Sequence, residues 1–289
     1  MPDAVVGRHV VISRGSHVAL KDSDFTIPQG AITAIIGPNG SGKSTLLHAI
    51  ANLLPISSGA LSVLGATPEL SQSQIAYVLQ YTTVPAGTPL TVKEAVGMGR
   101  YPSLGFLRRP SAEDKKRVQQ AMERLDITHL ADRHITELSG GQRQRVYVAQ
   151  GITQDHAMLL LDEPLTGLDI TSAKTIDAII HDEPDRGCSV VLTTHDLEEA
   201  KAADHVILTS GYVVASGPPE QVLTPENLAT AYGLGSLHQK DDATPLFPTE
   251  HHDHSHEHPG REHGHQANVP CGSSLHQAEN RRHQRPRRT

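Results

Sequence analysis

The sequence has two cysteines, Cys188 and Cys271, too few for a disulfide framework and suited to a reducing compartment. No apolar run approaches the ~18 residues of a membrane span, and the mean hydropathy is −0.33. The N-terminus, MPDAVVGRHV, lacks a basic segment followed by an apolar one, so no secretory signal is expected. Positive charge is also short: the net charge of −7 argues against a bulk nucleic-acid binder, and no nucleic-acid partner is expected. Aromatics are scarce, with no Trp, three Phe and six Tyr. Histidine, at 19 residues, is abundant. The length of 289 residues suffices for one large α/β domain or two small ones.

The histidines cluster. Seven of them, His251, His252, His254, His256, His258, His263 and His265, fall in HHDHSHEHPGREHGH. Residues 240–289 hold 7 basic and 7 acidic side chains, so the whole −7 belongs to residues 1–239. Only 8 of those 50 residues are apolar, too few to offset the entropy of ordering the segment. The expected division is a folded domain over 1–235 and a disordered His-rich tail over 236–289.

Within the folded part, short apolar runs alternate with helical patterns. AITAIIG (31–37), 157–161, SVVLTT (189–194) and HVILT (205–209) read as buried strands. A helix is expected from Lys43 to Leu54, stopped by Pro55, and another from Thr171 to Glu183, ended by Pro184. This alternation implies a mostly parallel sheet covered on both faces. VVISRG and VALKDSDFTI read as antiparallel strands before it. Residues 91–150 show no strand pattern. Ser111 and Asp114 form a capping box there, and Val118, Ala121, Met122 and Leu125 share one helix face. The result is an α/β core with a helical insertion at about 90–150.

Gly37-Pro38-Asn39-Gly40-Ser41-Gly42-Lys43-Ser44 fits G-x-x-x-x-G-K-[ST] between an expected strand and an expected helix. Glycines let backbone N–H groups turn inward around phosphate oxygens, and the helix N-terminus adds positive potential. Lys43 can reach the β- and γ-phosphates, and Ser44 can place its hydroxyl on Mg²⁺. Leu159-Leu160-Leu161-Asp162-Glu163 puts two carboxylates at the C-terminal edge of a strand. Asp162 is expected to hold the Mg²⁺, and Glu163 to polarise the attacking water or accept its proton.

Leu138-Ser139-Gly140-Gly141-Gln142 then gives the series a family. The order 37–45, 138–145, 159–163 and His195 resembles the nucleotide-binding subunits of ABC transporters, over roughly residues 8–235. The resemblance implies a P-loop NTPase core with an N-terminal antiparallel β-subdomain and a helical signature subdomain. It implies an ATPase using ATP and Mg²⁺, with Thr45 closing the phosphate loop. Gln80, in YVLQ, takes the place of the Q-loop glutamine that meets Mg²⁺ and the membrane partner. Asp169, in TGLD, takes that of the D-loop aspartate, and His195, in TTHD, that of the switch histidine. Ser139, Gly140, Gly141 and Gln142 would face the ATP of a second copy in a head-to-tail dimer. Arg14 departs from the family, which has an adenine-stacking aromatic at that place; a guanidinium plane can also stack on a base.

With no membrane span of its own, the chain requires a separate permease and a place at the cytoplasmic face of the membrane. TVKEAVGMGRYPSLG (91–105) resembles the coupling surface of importer ATPases for metals and iron chelates. An extracellular metal-binding protein would belong to such a system. Imidazole suits Zn²⁺, so the tail is expected to bind Zn²⁺ loosely at several places. Import of zinc comes first and of manganese second; iron-chelate uptake and a soluble ABC-type ATPase without a permease are the alternatives.

Overall fold

The computed structural model describes residues 2–80, 85, 87–104 and 109–233. The His-rich segment and Gly105 lie outside the described residues. Two sheets form the frame. Strands β1 (Asp3–Arg14), β2 (His17–Pro28) and β4 (Ser58–Val63) make an antiparallel sheet in the order β2-β1-β4. Strands β3 (Ile32–Ile36), β5 (Ile75–Val78), β6 (Met158–Asp162), β7 (Ser189–Thr194), β8 (His205–Thr209) and β9 (Val213–Gly217) make the second, in the order β5-β6-β7-β3-β8-β9. Its first five strands are parallel and β9 runs antiparallel to β8. The mostly parallel sheet and the N-terminal antiparallel strands are as the sequence pattern implies.

The parallel strands of the large sheet are buried on both faces, which is why they are nearly continuous apolar runs rather than alternating ones. Ile35, Leu160, Val191 and Ile207 point to one side. There they pack on the helix Lys43–Ile50, through Leu46, Leu47 and Ile50, and on Val5, Val10 and Ile12 of the antiparallel sheet. Ala34, Ile36, Leu159, Leu161, Val190 and Leu192 point to the other side, toward the helical region. The helices Val92–Gly97, Ala112–Arg124 and Gly140–Ile152 form that region. Its helix face of Val118, Ala121, Met122 and Leu125 is buried, and the Ser111–Asp114 capping box is made in both directions.

Arg100 ties the helical region to the chain just before β6. Its Nε donates to Asp114 Oδ1 (2.9 Å), Nη1 to the Thr153 carbonyl (2.6 Å) and Nη2 to Asp155 Oδ2 (3.0 Å). A buried guanidinium with all three edges bonded fixes geometry as well as charge.

Two helix ends differ from the sequence expectation. The helix from Lys43 stops at Ile50, not Leu54. Asn52 adopts a left-handed conformation (φ 57°), and the Leu53 N–H returns to the His48 carbonyl, so the termination is local and precedes Pro55. The helix Ile170–Asp185 runs through Pro184. Pro184 has no N–H to give the Ile180 carbonyl, and the helix ends one residue beyond it; the chain then turns at Gly187, whose N–H bonds the Pro184 carbonyl.

Candidate nucleotide site

The phosphate loop joins β3 to the helix Lys43–Ile50, at the C-terminal edge of the parallel strands. Gly42 has φ 100°, and a Cβ there would lie 2.8 Å from the Ala19 carbonyl oxygen. A side chain at Gly37 would collide with the Thr209 carbonyl. Both glycines are thus needed for close backbone approach as well as for turning. Ser41 Oγ pairs with Thr209 Oγ1 at 2.8 Å and anchors the loop to β8. Lys43 Nζ donates to the Gly37 (2.8 Å) and Pro38 (3.2 Å) carbonyls, so the ammonium lies inside its own loop. Burial lowers its pKa, opposed by the negative charges of Glu163 and Asp162. Asn39 and Gly40 form the exposed crest, and Thr45 is buried beneath it.

Asp162 ends β6 beside this loop. Its Oδ1 accepts from Ser44 Oγ (3.0 Å) and Thr193 Oγ1 (2.6 Å), and its Oδ2 from the Tyr77 hydroxyl (3.4 Å). Burial, then the charge of Asp162, raises the Tyr77 pKa, so the phenol stays a donor. A hydroxyl beside a carboxylate is the hard oxygen set that Mg²⁺ prefers, and Ser44 with Asp162 fits that ion.

Glu163 follows with φ 46°, a left-handed conformation uncommon for a residue with a side chain. Its N–H is held by Thr193 Oγ1 at 2.9 Å. Its Oε2 accepts from Gln80 Nε2 (2.7 Å) and Thr166 Oγ1 (3.3 Å), and His195 Nδ1 stands 3.7 Å away. The structure therefore brings Lys43, Ser44, Gln80, Asp162, Glu163 and His195 to one place. Tyr77, Thr166 and Thr193 belong to the same cluster and were not singled out from sequence. The available signal is the parallel register, which sets Asp162 opposite Thr193 and Tyr77 opposite Leu160.

The LSGGQ residues open the helix Gly140–Ile152. Ser139 caps it, its Oγ accepting from the Gln142 N–H (3.2 Å) while Gln142 Oε1 accepts from the Ser139 N–H (3.1 Å). A Cβ on Gly141 would lie 2.5 Å from both Asp169 Oδ2 and Ser172 Oγ. Asp169 caps the next helix, accepting from the Ser172 N–H (2.9 Å) and hydroxyl (2.8 Å), which holds its carboxyl below the usual range. Asp169 is thus placed against the signature glycine of its own chain. Gly140 and Arg143 share a cleft of about 100 Å³ with Gln80, Glu163 and Thr166.

Arg14 leaves β1 and places Nη2 2.5 Å from His48 Nδ1. Guanidinium only donates, so His48 accepts at Nδ1 and carries its proton on Nε2. Burial and the Arg14 charge both lower the His48 pKa. The His48 ring meets Tyr77 edge-on, centroids 5.6 Å apart, so contacts run continuously from Arg14 to Asp162.

A phosphate loop, an adjoining hydroxyl–carboxylate pair, a glutamate behind it and a signature helix are the parts expected of a nucleotide site in an ABC-type P-loop ATPase. The sequence pattern of the ABC transporter family matches residues 20–166, and the chain belongs to that family. It is 41% identical over 215 residues to the zinc transport system ATP-binding protein TroB of Treponema pallidum, covering 74% of this chain and 81% of the relative. It is 40% identical over 235 residues to the chelated iron transport system membrane protein YfeB of Yersinia pestis, covering 80% and 79%. It is 37% identical over 240 residues to the manganese transport system ATP-binding protein MntA of Synechocystis, covering 81% and 92%. Among solved structures, an ABC transporter assigned to the metal-chelate type, in an inward-facing conformation, superimposes with a TM-score of 0.70 at 29% identity, covering 80% of this chain and 89% of that one. The ADP conformation of an ATP-binding cassette of an ABC transporter gives 0.68 at 25% identity, covering 80% and 98%. The chain is an ATPase that uses ATP and Mg²⁺.

Proposed function

We propose that this chain hydrolyses ATP to drive import of a divalent metal ion, zinc first and manganese second. The carrying observation is the cluster of Ser44, Gln80, Asp162, Glu163 and His195, in a chain 37–41% identical to ATP-binding proteins named for zinc and manganese transport. Iron-chelate uptake is the second reading, favoured by the likeness to the chelated iron system.

Gly37 to Thr45 bind the triphosphate, with Lys43 exchanging its loop carbonyls for phosphate oxygens. Ser44, Asp162 and Gln80 would hold Mg²⁺, which when bound neutralises charge on the β- and γ-phosphates. Glu163 accepts the proton of the attacking water. Its Oε2 already carries two donors, leaving Oε1 for the water. His195 contacts the γ-phosphate. A second copy, head to tail, supplies Ser139, Gly140, Gly141 and Gln142 to complete the cage, and Asp169 lies at that interface. Arg14, held by His48, supplies the planar face beside the base.

A permease docks where apolar side chains stand exposed. Leu53, Leu70 and Tyr101 are 55%, 74% and 59% exposed. Leu53 lines a cleft of about 540 Å³ with Ile75, Tyr77 and Pro102, and exposed patches of this kind mark interaction surfaces. No helix among the described residues is long and apolar enough to cross a membrane. The subunit sits at the cytoplasmic face, and an extracellular metal-binding protein delivers the ion. The tail, through His251, His252, His254, His256, His258, His263 and His265, binds Zn²⁺. Zinc and manganese uptake in cells lacking this subunit tests the reading: zinc uptake is expected to fall, and unchanged zinc uptake with impaired manganese uptake reverses the order.

A further inference from the structure

Away from the nucleotide cleft, three side chains from separate elements meet in the interior. His156 lies just before β6, Glu183 in the last turns of the helix Ile170–Asp185, and Cys188 just before β7. Their ligand atoms all lie within 4.8 Å of one another. The His156 and Glu183 side chains are 5% and 3% exposed, and Cys188 is a buried free thiol. We propose that His156, Glu183 and Cys188 form a binding site for one zinc-class ion, distinct from the nucleotide site.

The hydrogen bonds fix the orientation. His156 Nδ1 is 3.0 Å from the Gln154 carbonyl, which can only accept, so Nδ1 carries a proton and Nε2 faces the cluster. Nε2 lies 3.2 Å from Glu183 Oε2. Both atoms offer lone pairs, and at that distance a cation must stand between them, either a proton or a metal ion. An imidazole whose other nitrogen donates to a backbone carbonyl is the usual arrangement of a metal-ligating histidine. A zinc about 2.0 Å from both atoms sees them at an angle of about 106°, close to tetrahedral. Cys188 Sγ, now donating to the His156 carbonyl at 3.3 Å, supplies the third ligand. Arg124 Nη1 occupies the other carboxylate oxygen, Oε1, at 2.8 Å and leaves Oε2 for the ion. Water would supply the fourth ligand of a four-coordinate ion.

Nitrogen, sulfur and one carboxylate oxygen suit Zn²⁺ and disfavour Mg²⁺. Charge also balances. Without metal, an imidazolium, a thiol and a carboxylate sum to zero. With Zn²⁺, a neutral imidazole, a thiolate and a carboxylate sum to zero again, and two protons, from His156 Nε2 and Cys188 Sγ, leave to solvent. The exchange adds no net charge to the interior, which is why Arg124 can remain in place. The bound ion would tie together the two elements that lead to Asp162 and from Asp169. The inference does not depend on which substrate is transported.

Cobalt as a probe tests it, because a thiolate ligand gives charge-transfer absorption that histidine ligands do not. The full chain carrying Cys271→Ser is titrated with Co²⁺. The expected result is a thiolate-to-cobalt band whose plateau amplitude corresponds to one thiolate–cobalt pair per chain, displaced by excess Zn²⁺ and lost when Cys188→Ser is added. ATP hydrolysis by both variants verifies that they are folded. Absence of the band in hydrolysing Cys271→Ser protein, or its persistence after Cys188→Ser, overturns the proposal.

Discussion

At the residue scale, Thr193 shows how one buried hydroxyl organises the two acidic residues, through the carboxylate of one and the backbone of the other. It donates to Asp162 Oδ1 at 2.6 Å and accepts the Glu163 N–H at 2.9 Å, with no exposure to solvent. Thr193→Val keeps the shape and removes both bonds. It leaves the partly buried Glu163 N–H unsatisfied, at a cost of up to about 1–3 kcal/mol, and releases the left-handed backbone of Glu163. Lower stability in urea and lower kcat are expected together, with Thr193→Ser restoring most of both. Glu163→Gln separates chemistry from binding: hydrolysis should fall by at least on the order of 10²-fold, while ATP-dependent dimers persist in gel filtration. Near-normal phosphate release by that variant would remove Glu163 as the base.

At the element scale, the helical region is attached by charge as well as by packing. Hydrogen bonds from Ser111 and then the Arg100 guanidinium hold the Asp114 carboxyl down to about 2. A depressed carboxylate contributes stability above its unfolded pKa of about 4 and loses it as pH falls toward the folded value. The stability advantage of the native chain over Asp114→Asn should therefore be full at neutral pH and shrink between about pH 4 and 2. Thermal melts across that range give the check; an advantage independent of pH would contradict the assignment. The signature helix carries a second constraint. Gly141 reads as part of a phosphate-binding string, but within this chain its missing Cβ makes room for the Asp169 carboxylate and the Ser172 hydroxyl.

At the scale of the whole molecule, the two ends of the sequence have different chemistry. Residues 1–239 hold the entire net charge, and 240–289 are charge-balanced and poor in apolar side chains. Calorimetry of residues 240–289 with Zn²⁺ should show several weak sites that weaken as the imidazoles protonate below about pH 6.5. No heat at neutral pH would leave the tail without a metal role.

The phosphate loop, the Asp162–Glu163 pair and the LSGGQ series are legible because each is local: a few residues at fixed spacing, flanked by the strand or helix that gives them direction. The parallel sheet is legible for a related reason, since strands buried on both faces must be continuously apolar. Tyr77, Thr166 and Thr193 are not, because their roles depend on which strands lie side by side and in what register. The Arg14–His48 contact joins residues 34 apart, and His156, Glu183 and Cys188 meet only because the segments leading into β6 and β7 and the end of the helix Ile170–Asp185 come together. Sequence alone determined the chemistry available at each position. The tertiary structure decided which of those groups meet, because distances of 2.6–3.7 Å between far-separated residues are set by packing and not by spacing along the chain.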